Sequence, residues 1–130
     1  MSFPSLAAPS FFFQNVNSIS EKELDSLAYG VIQLDAEGTV LRYNAYEAEL
    51  SGLVRQRVLG KNFFKQVAPC TDIKEFFGRF QEGIAAGELH CTFRFHFPFK
   101  NNPRDVTITL LYNKRDQTVW VLVQPFEFNQ

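Results

Sequence analysis

A phenol, a carboxyl group and a thiol stand out in an otherwise Phe-rich chain. Tyr43 and Glu47 flank Asn44-Ala45-Tyr46, and Cys70 sits in Val67-Ala68-Pro69-Cys70-Thr71. A thiolate can carry a ligand covalently. A phenol and a carboxyl group beside that ligand can set its protonation, because a buried carboxyl without a cation is pushed towards its neutral, hydrogen-bond-donating form. Each residue also has an ordinary role. A lone Cys is most often a small buried hydrophobe, and on position alone that is the better reading of Cys70. A strand-end Tyr followed by a first-turn Glu is a common solvated arrangement, favoured by the helix dipole. Cys91 belongs to a Phe stripe and reads as core. His90 and His96 lie beside it, but their spacing matches no usual zinc pattern. The glycines are scattered and form no phosphate loop.

Residues 1–26 form an N-terminal arm or cap in which Pro4, Pro9 and several Ser break any period. Phe11-Phe12-Phe13 is too apolar to stay in water, which predicts that the arm docks on the domain of residues 27–130. Ser20 with Glu23 is a capping box ahead of a short helix. Tyr29–Leu34 and Thr39–Tyr43 form a hairpin around Asp35-Ala36-Glu37-Gly38. Asn44 caps a helix that Gly52 ends, and a second short helix over 55–59 stops at Gly60. Residues 61–70 read as a packed connection without a period. Asp72 with Glu75 predicts a capped helix carrying Ile73, Phe76, Phe77, Phe80 and Ile84 on one face and ending at Gly87. That helix N-terminus is expected to stabilise a Cys70 thiolate.

Strict alternation then puts Cys91, Phe93, Phe95, Phe97 and Phe99 on one strand face, opposite Thr92, Arg94 and His96. Strands over 106–112 and 119–123 follow the turn signal Asn101-Asn102-Pro103. Segregated strands and helices predict an α+β fold with an antiparallel sheet, helices on one face and the N-terminal arm on the other.

The totals exclude several classes. The chain has 130 residues, which fits one core, and 15 Phe supply ample apolar volume. A net charge of −1 without a basic stripe gives nucleic-acid binding little support. No apolar run is long enough for a bilayer, and no basic n-region precedes an h-region, so the expected compartment is the cytoplasm, with both thiols free.

Several blocks resemble the photoactive yellow protein family. They are Leu27-Ala28-Tyr29-Gly30-Val31-Ile32-Gln33-Leu34-Asp35, Tyr43-Asn44-Ala45, Gly60-Lys61-Asn62-Phe63-Phe64-Lys65 and Val67-Ala68-Pro69-Cys70-Thr71. The resemblance implies a PAS fold with a five-stranded sheet, and a blue-light photoreceptor rather than an enzyme. It implies p-coumaric acid held as a thioester on Cys70, with Tyr43 and Glu47 donating to its phenolate. Ser51 stands where the family commonly has Thr, and its hydroxyl can still orient that of Tyr43. Ile32, Phe63, Val67 and Phe97 match pocket-lining positions. Trans-to-cis photoisomerisation, proton transfer from Glu47 and partial unfolding of the N-terminal cap would make the signal. An unknown downstream signalling protein would read it from a monomer or weak dimer. Leu53 and Asn101 depart from the best-known pattern, which has Arg and Met there. The alternatives are a chromophore-free PAS interaction module and a proton-transfer isomerase; the latter lacks an obvious general base.

Overall fold

The computed structural model describes residues 12–99 and 102–126. Phe11 and Asn101 therefore lie outside the described residues. Five antiparallel strands form one sheet in the order β2-β1-β5-β4-β3. They are β1 (Gly30–Leu34), β2 (Val40–Tyr43), β3 (His90–Phe97), β4 (Arg104–Asn113) and β5 (Thr118–Pro125). Residues 12–15 are helical, and after them come the helices α1 (Glu21–Asp25), α2 (Ala45–Ser51), α3 (Arg55–Val58) and α4 (Arg79–Ala86).

The burial of each strand follows its place in the sheet. β1 is buried along its whole length, and β5 over its first six residues, because both sheet faces are covered there. β3 is an edge strand. Its Phe side chains face the core and its alternate residues face water, as the period-2 pattern requires. Ile32, Leu34, Ile108, Leu110, Val119, Val121 and Val123 point to the helical side, where Phe63, Phe64, Phe76 and Phe80 cover them. Val31, Trp120 and Leu122 point the other way and pack with Phe12, Ile19, Leu24 and Tyr29. The ring of Phe12 meets that of Trp120 edge-on at 5.0 Å. The N-terminal segment thus docks where the apolar arm predicts. Arg42 fastens it, donating through Nη2 to the Ile19 carbonyl at 2.8 Å and through Nε to Glu21 Oε2 at 2.6 Å.

Local chemistry explains the helix boundaries. Ser20 and Glu23 form the reciprocal capping box at 3.1 and 2.8 Å. Gly52 and Gly87 close α2 and α4 in the left-handed region, at φ 77° and 72°.

The segment between α3 and α4 differs from the sequence expectation. Residues 61–70 are not irregular: Phe63–Val67 make a π-helical turn, with Ala68 N donating to the Phe63 carbonyl at 2.8 Å. Asn62 starts it, its Oδ1 accepting from Phe64 N and Lys65 N at 3.0 Å each. Pro69–Thr71 form a 3₁₀ turn. The Asp72–Glu75 capping box does not form. Ile73 is the extended residue before the next π-helical turn, Lys74–Gly78, and the Asp72 carboxylate instead accepts from Lys65 Nζ at 2.7 Å. Ile73 stays exposed rather than joining the apolar face.

Candidate functional site

Asn44 fixes the β2–α2 junction and so sets both Tyr43 and Glu47. It is buried, and its amide is used fully. Oδ1 accepts from Glu47 N at 3.1 Å and from Val31 N at 3.0 Å, while Nδ2 donates to the carbonyls of Leu24 at 2.8 Å and Tyr29 at 3.0 Å. One side chain therefore joins the start of α2 to β1 and α1.

Tyr43 ends β2 opposite Ile32, so both side chains enter the helical-side core. Its hydroxyl lies 3.0 Å from Ser51 Oγ, either of which can donate, and Ser51 Oγ accepts from Leu53 N at 3.2 Å. Ser51 is thus placed to orient the phenol. Burial is the main cause that raises the Tyr43 pKa above the ordinary tyrosine value; the nearby Glu47 charge adds to it.

Glu47 is 2% exposed. Burial pushes its carboxyl pKa up to about 7, against the opposing pull of Arg104. Here the structure corrects the expectation of a carboxyl without a cation. Arg104 Nη2 donates to Glu47 Oε2 at 2.5 Å. Oε1 has no hydrogen-bond partner among the described residues and lies against Gly30, where any Cβ would overlap it. The missing side chain at Gly30 is what lets the carboxyl sit there. Sequence reasoning missed Arg104. It follows a turn signal, 57 residues from Glu47, and β4 begins at Arg104 rather than at Val106. The clue is its pairing with Phe97 in the β3–β4 ladder, which places it at the apolar end of the Phe stripe.

Cys70 lies within the 3₁₀ turn, half-buried against the helical-side core. The next helical turn starts at Lys74, after the extended Ile73, rather than at a cap directly after Cys70. Burial raises its thiol pKa, with its own backbone hydrogen bond opposing, so the expected dipole-stabilised thiolate is not found. Pro69 and the bond from Thr71 Oγ1 to the Ala68 carbonyl at 2.6 Å fix the turn.

Ile32, Tyr43, Phe63 and Phe97 belong to one buried cluster, and Val67, Leu53 and Cys70 pack against it. Glu47 and Ser51 are one turn apart on α2 and reach the cluster beside Tyr43. Leu53 and Val67 also line a surface groove with Arg57 and Lys61. His96 is exposed, its Nδ1 2.9 Å from Asp105 Oδ1. Among the described residues no group of His, Cys, Asp and Glu converges as metal ligands, and no helix is long and apolar enough to cross a membrane.

Residues 21–125 match the model of the PAS fold. The chain is 44% identical to the photoactive yellow protein of Rhodothalassium salexigens over 106 residues, 82% of this chain and 85% of that protein. It is 43% identical to that of Halochromatium salexigens over 107 residues, 82% and 86% of the two chains. Among solved structures, the photoactive yellow protein domain of the sensor histidine kinase Ppr from Rhodospirillum centenum superposes with a TM-score of 0.81 at 39% identity, covering 85% of this chain and 97% of that domain.

Proposed function

Because the chain belongs to the photoactive yellow protein family of PAS-fold proteins, we propose that it is a blue-light photoreceptor carrying p-coumaric acid as a thioester on Cys70. The observation that supports this reading is a buried phenol with a carboxyl biased towards its neutral form beside it, in a core against which the half-buried Cys70 packs. The donor set suits a buried phenolate. Tyr43 keeps its proton at any ordinary pH, and Glu47, its pKa pushed up to about 7, has an oxygen without a partner among the described residues. When bound, the p-coumaroyl group supplies light absorption and a double bond that photoisomerises.

The chain's own residues do the rest. Cys70 Sγ gives up its proton and takes the acyl group from an activated p-coumaric acid, whose leaving group departs with the electron pair. Because burial holds the thiol up, acylation is favoured by alkaline pH. Tyr43 and Glu47 offset the cost of a buried anion with two hydrogen bonds. Ile32, Phe63, Val67 and Phe97 keep water away. Ser51 holds the phenol of Tyr43 in its donating direction. Glu47 is the internal proton donor.

A charge change at Glu47 is felt by the N-terminal segment, because Asn44 holds both Glu47 N and the Leu24 carbonyl. Release of that segment from Trp120 is the output, read by a downstream partner in the cytoplasm.

The test is intact-protein mass after incubation with p-coumaric anhydride. One coumaroyl mass added to the wild type, and none to Cys70→Ala, is expected. Equal labelling of both proteins, or of neither, would overturn the assignment.

A further inference from the structure

Arg104 is a charged side chain in the core that the photoreceptor reading leaves without a task. We infer that Arg104 is the counter-ion of Glu47, a positioning residue that holds the carboxylate once Glu47 gives up its proton and ties that event to the start of β4. The ion pair stands on its own geometry; only its part in the light response rests on the reading of Glu47 as proton donor.

The pair is largely buried, with side chains 2% exposed at Glu47 and 11% at Arg104. It is single-pronged. Nη2 meets Oε2, while Arg104 Nε and Glu47 Oε1 are both buried without hydrogen-bond partners among the described residues. The guanidinium also lies over the Phe97 ring at 5.2 Å. A cation held by one carboxylate oxygen and one aromatic face has a resting place in both states of Glu47. With the carboxyl protonated, the Phe97 face and a neutral acceptor hold it. With the carboxyl ionised, it completes a charge-assisted pair.

The other groups near Glu47 do not compete for this role. Tyr43, from the end of β2, keeps its proton. β1 places Gly30 against Glu47 and, being Gly-Val-Ile-Gln-Leu, carries no ionisable side chain. Asp25, the last residue of α1, accepts from Ala45 N at 2.8 Å and from Arg55 Nη2 at 3.0 Å.

The pair also has a mechanical side. Arg104 and Phe97 form the outermost pair of the β3–β4 ladder. Two residues earlier, Asn102 Nδ2 donates to the Leu50 carbonyl at 2.5 Å, on the same helix as Glu47. A charge change at Glu47 therefore pulls on the β3–β4 edge directly. An uncompensated carboxylate would have to open the core to water, whereas this one has its cation in contact.

The test is an NMR titration of the Glu47 carboxyl carbon in the full, chromophore-free chain, with Glu47→Gln identifying the resonance. Arg104→Gln should raise the midpoint by about 1–3 pH units, the usual effect of losing a close opposite charge. Arg104→Lys should hold the midpoint nearer the wild type. An unchanged midpoint in Arg104→Gln, or equal rises in both variants, would overturn the inference. If Arg104→Gln does not fold, restored folding in the Glu47→Gln/Arg104→Gln pair supports it, and failure to restore counts against it.

In protein loaded with p-coumaric acid, Arg104→Gln should return to the dark band at least about 10-fold faster, one pH unit of destabilised carboxylate being a factor of ten. An unchanged recovery would overturn the part played in the light response. A shifted titration in a protein that takes up no p-coumaric acid would leave the ion pair standing and sink the photoreceptor reading.

Discussion

Glu47 should make the chromophore-free protein less stable as pH rises, although carboxylates usually do the reverse. Its carboxyl is raised from 4.5 to about 7 in the folded chain, mainly by burial. The folded state therefore keeps a proton that the unfolded state has released. Stability from this group is full below about pH 4.5 and is lost as pH climbs through 7. That interval, at about 1.4 kcal/mol per pH unit, amounts to about 3 kcal/mol. Other groups titrate as well, so the readout is a difference. Urea unfolding of wild type and Glu47→Gln is measured from pH 4.5 to 8. The amide of the variant carries no charge at any pH, and it keeps a carbonyl for Arg104. The stability of wild type relative to the variant should fall by about 3 kcal/mol across the range. A flat difference would mean that Glu47 is ionised throughout. A difference rising with pH would mean that Arg104 outweighs burial. Either result would refute the reasoning, and with it the idea of a transferable proton on Glu47.

Three more expectations are sharp enough to fail. Gly30→Ala should cost about 1–3 kcal/mol in urea unfolding, because its Cβ overlaps Glu47 Oε1 in a packed core; a neutral outcome would show that the carboxyl moves freely. Phe12→Ala should shift the emission of the single tryptophan to the red and cost about 3–5 kcal/mol, since Phe12 covers Trp120; unchanged emission would show that the N-terminal segment does not shield it. In p-coumaroyl-loaded protein, Glu47→Gln should move the visible band to longer wavelength, an amide being a weaker donor to a phenolate than a carboxylic acid; an unmoved band would remove Glu47 from contact with it.

Local rules made much of the fold legible. Ser20 with Glu23, and Asn44 ahead of Glu47, are capping patterns completed within three residues, and both form. The alternation from Cys91 to Phe97 survives because β3 is an edge strand with one wet face. Asp72 with Glu75 looks like the same kind of signal and fails. The 3₁₀ turn at Pro69–Thr71 delivers Ile73 in an extended conformation, and Lys65 takes the Asp72 carboxylate. The π-helical turns were invisible, since bonds from residue i+5 to residue i leave no familiar apolar period. Taken by themselves, Tyr43, Glu47 and Cys70 favour their ordinary readings, and only the family resemblance tips them towards a site. Arg104 was harder to find: its pairing with Phe97 marks its place, but its meeting with Glu47 is made by the fold, which brings the start of β4 to α2.

The most direct test of the photoreceptor reading is an absorption spectrum of the full chain after loading with activated p-coumaric acid, recorded in the dark, under blue light and again in the dark, beside Cys70→Ala. A visible band that bleaches, returns and is missing from the variant is the predicted result. A loaded protein whose band does not respond to light, or a band that persists without Cys70, would contradict it.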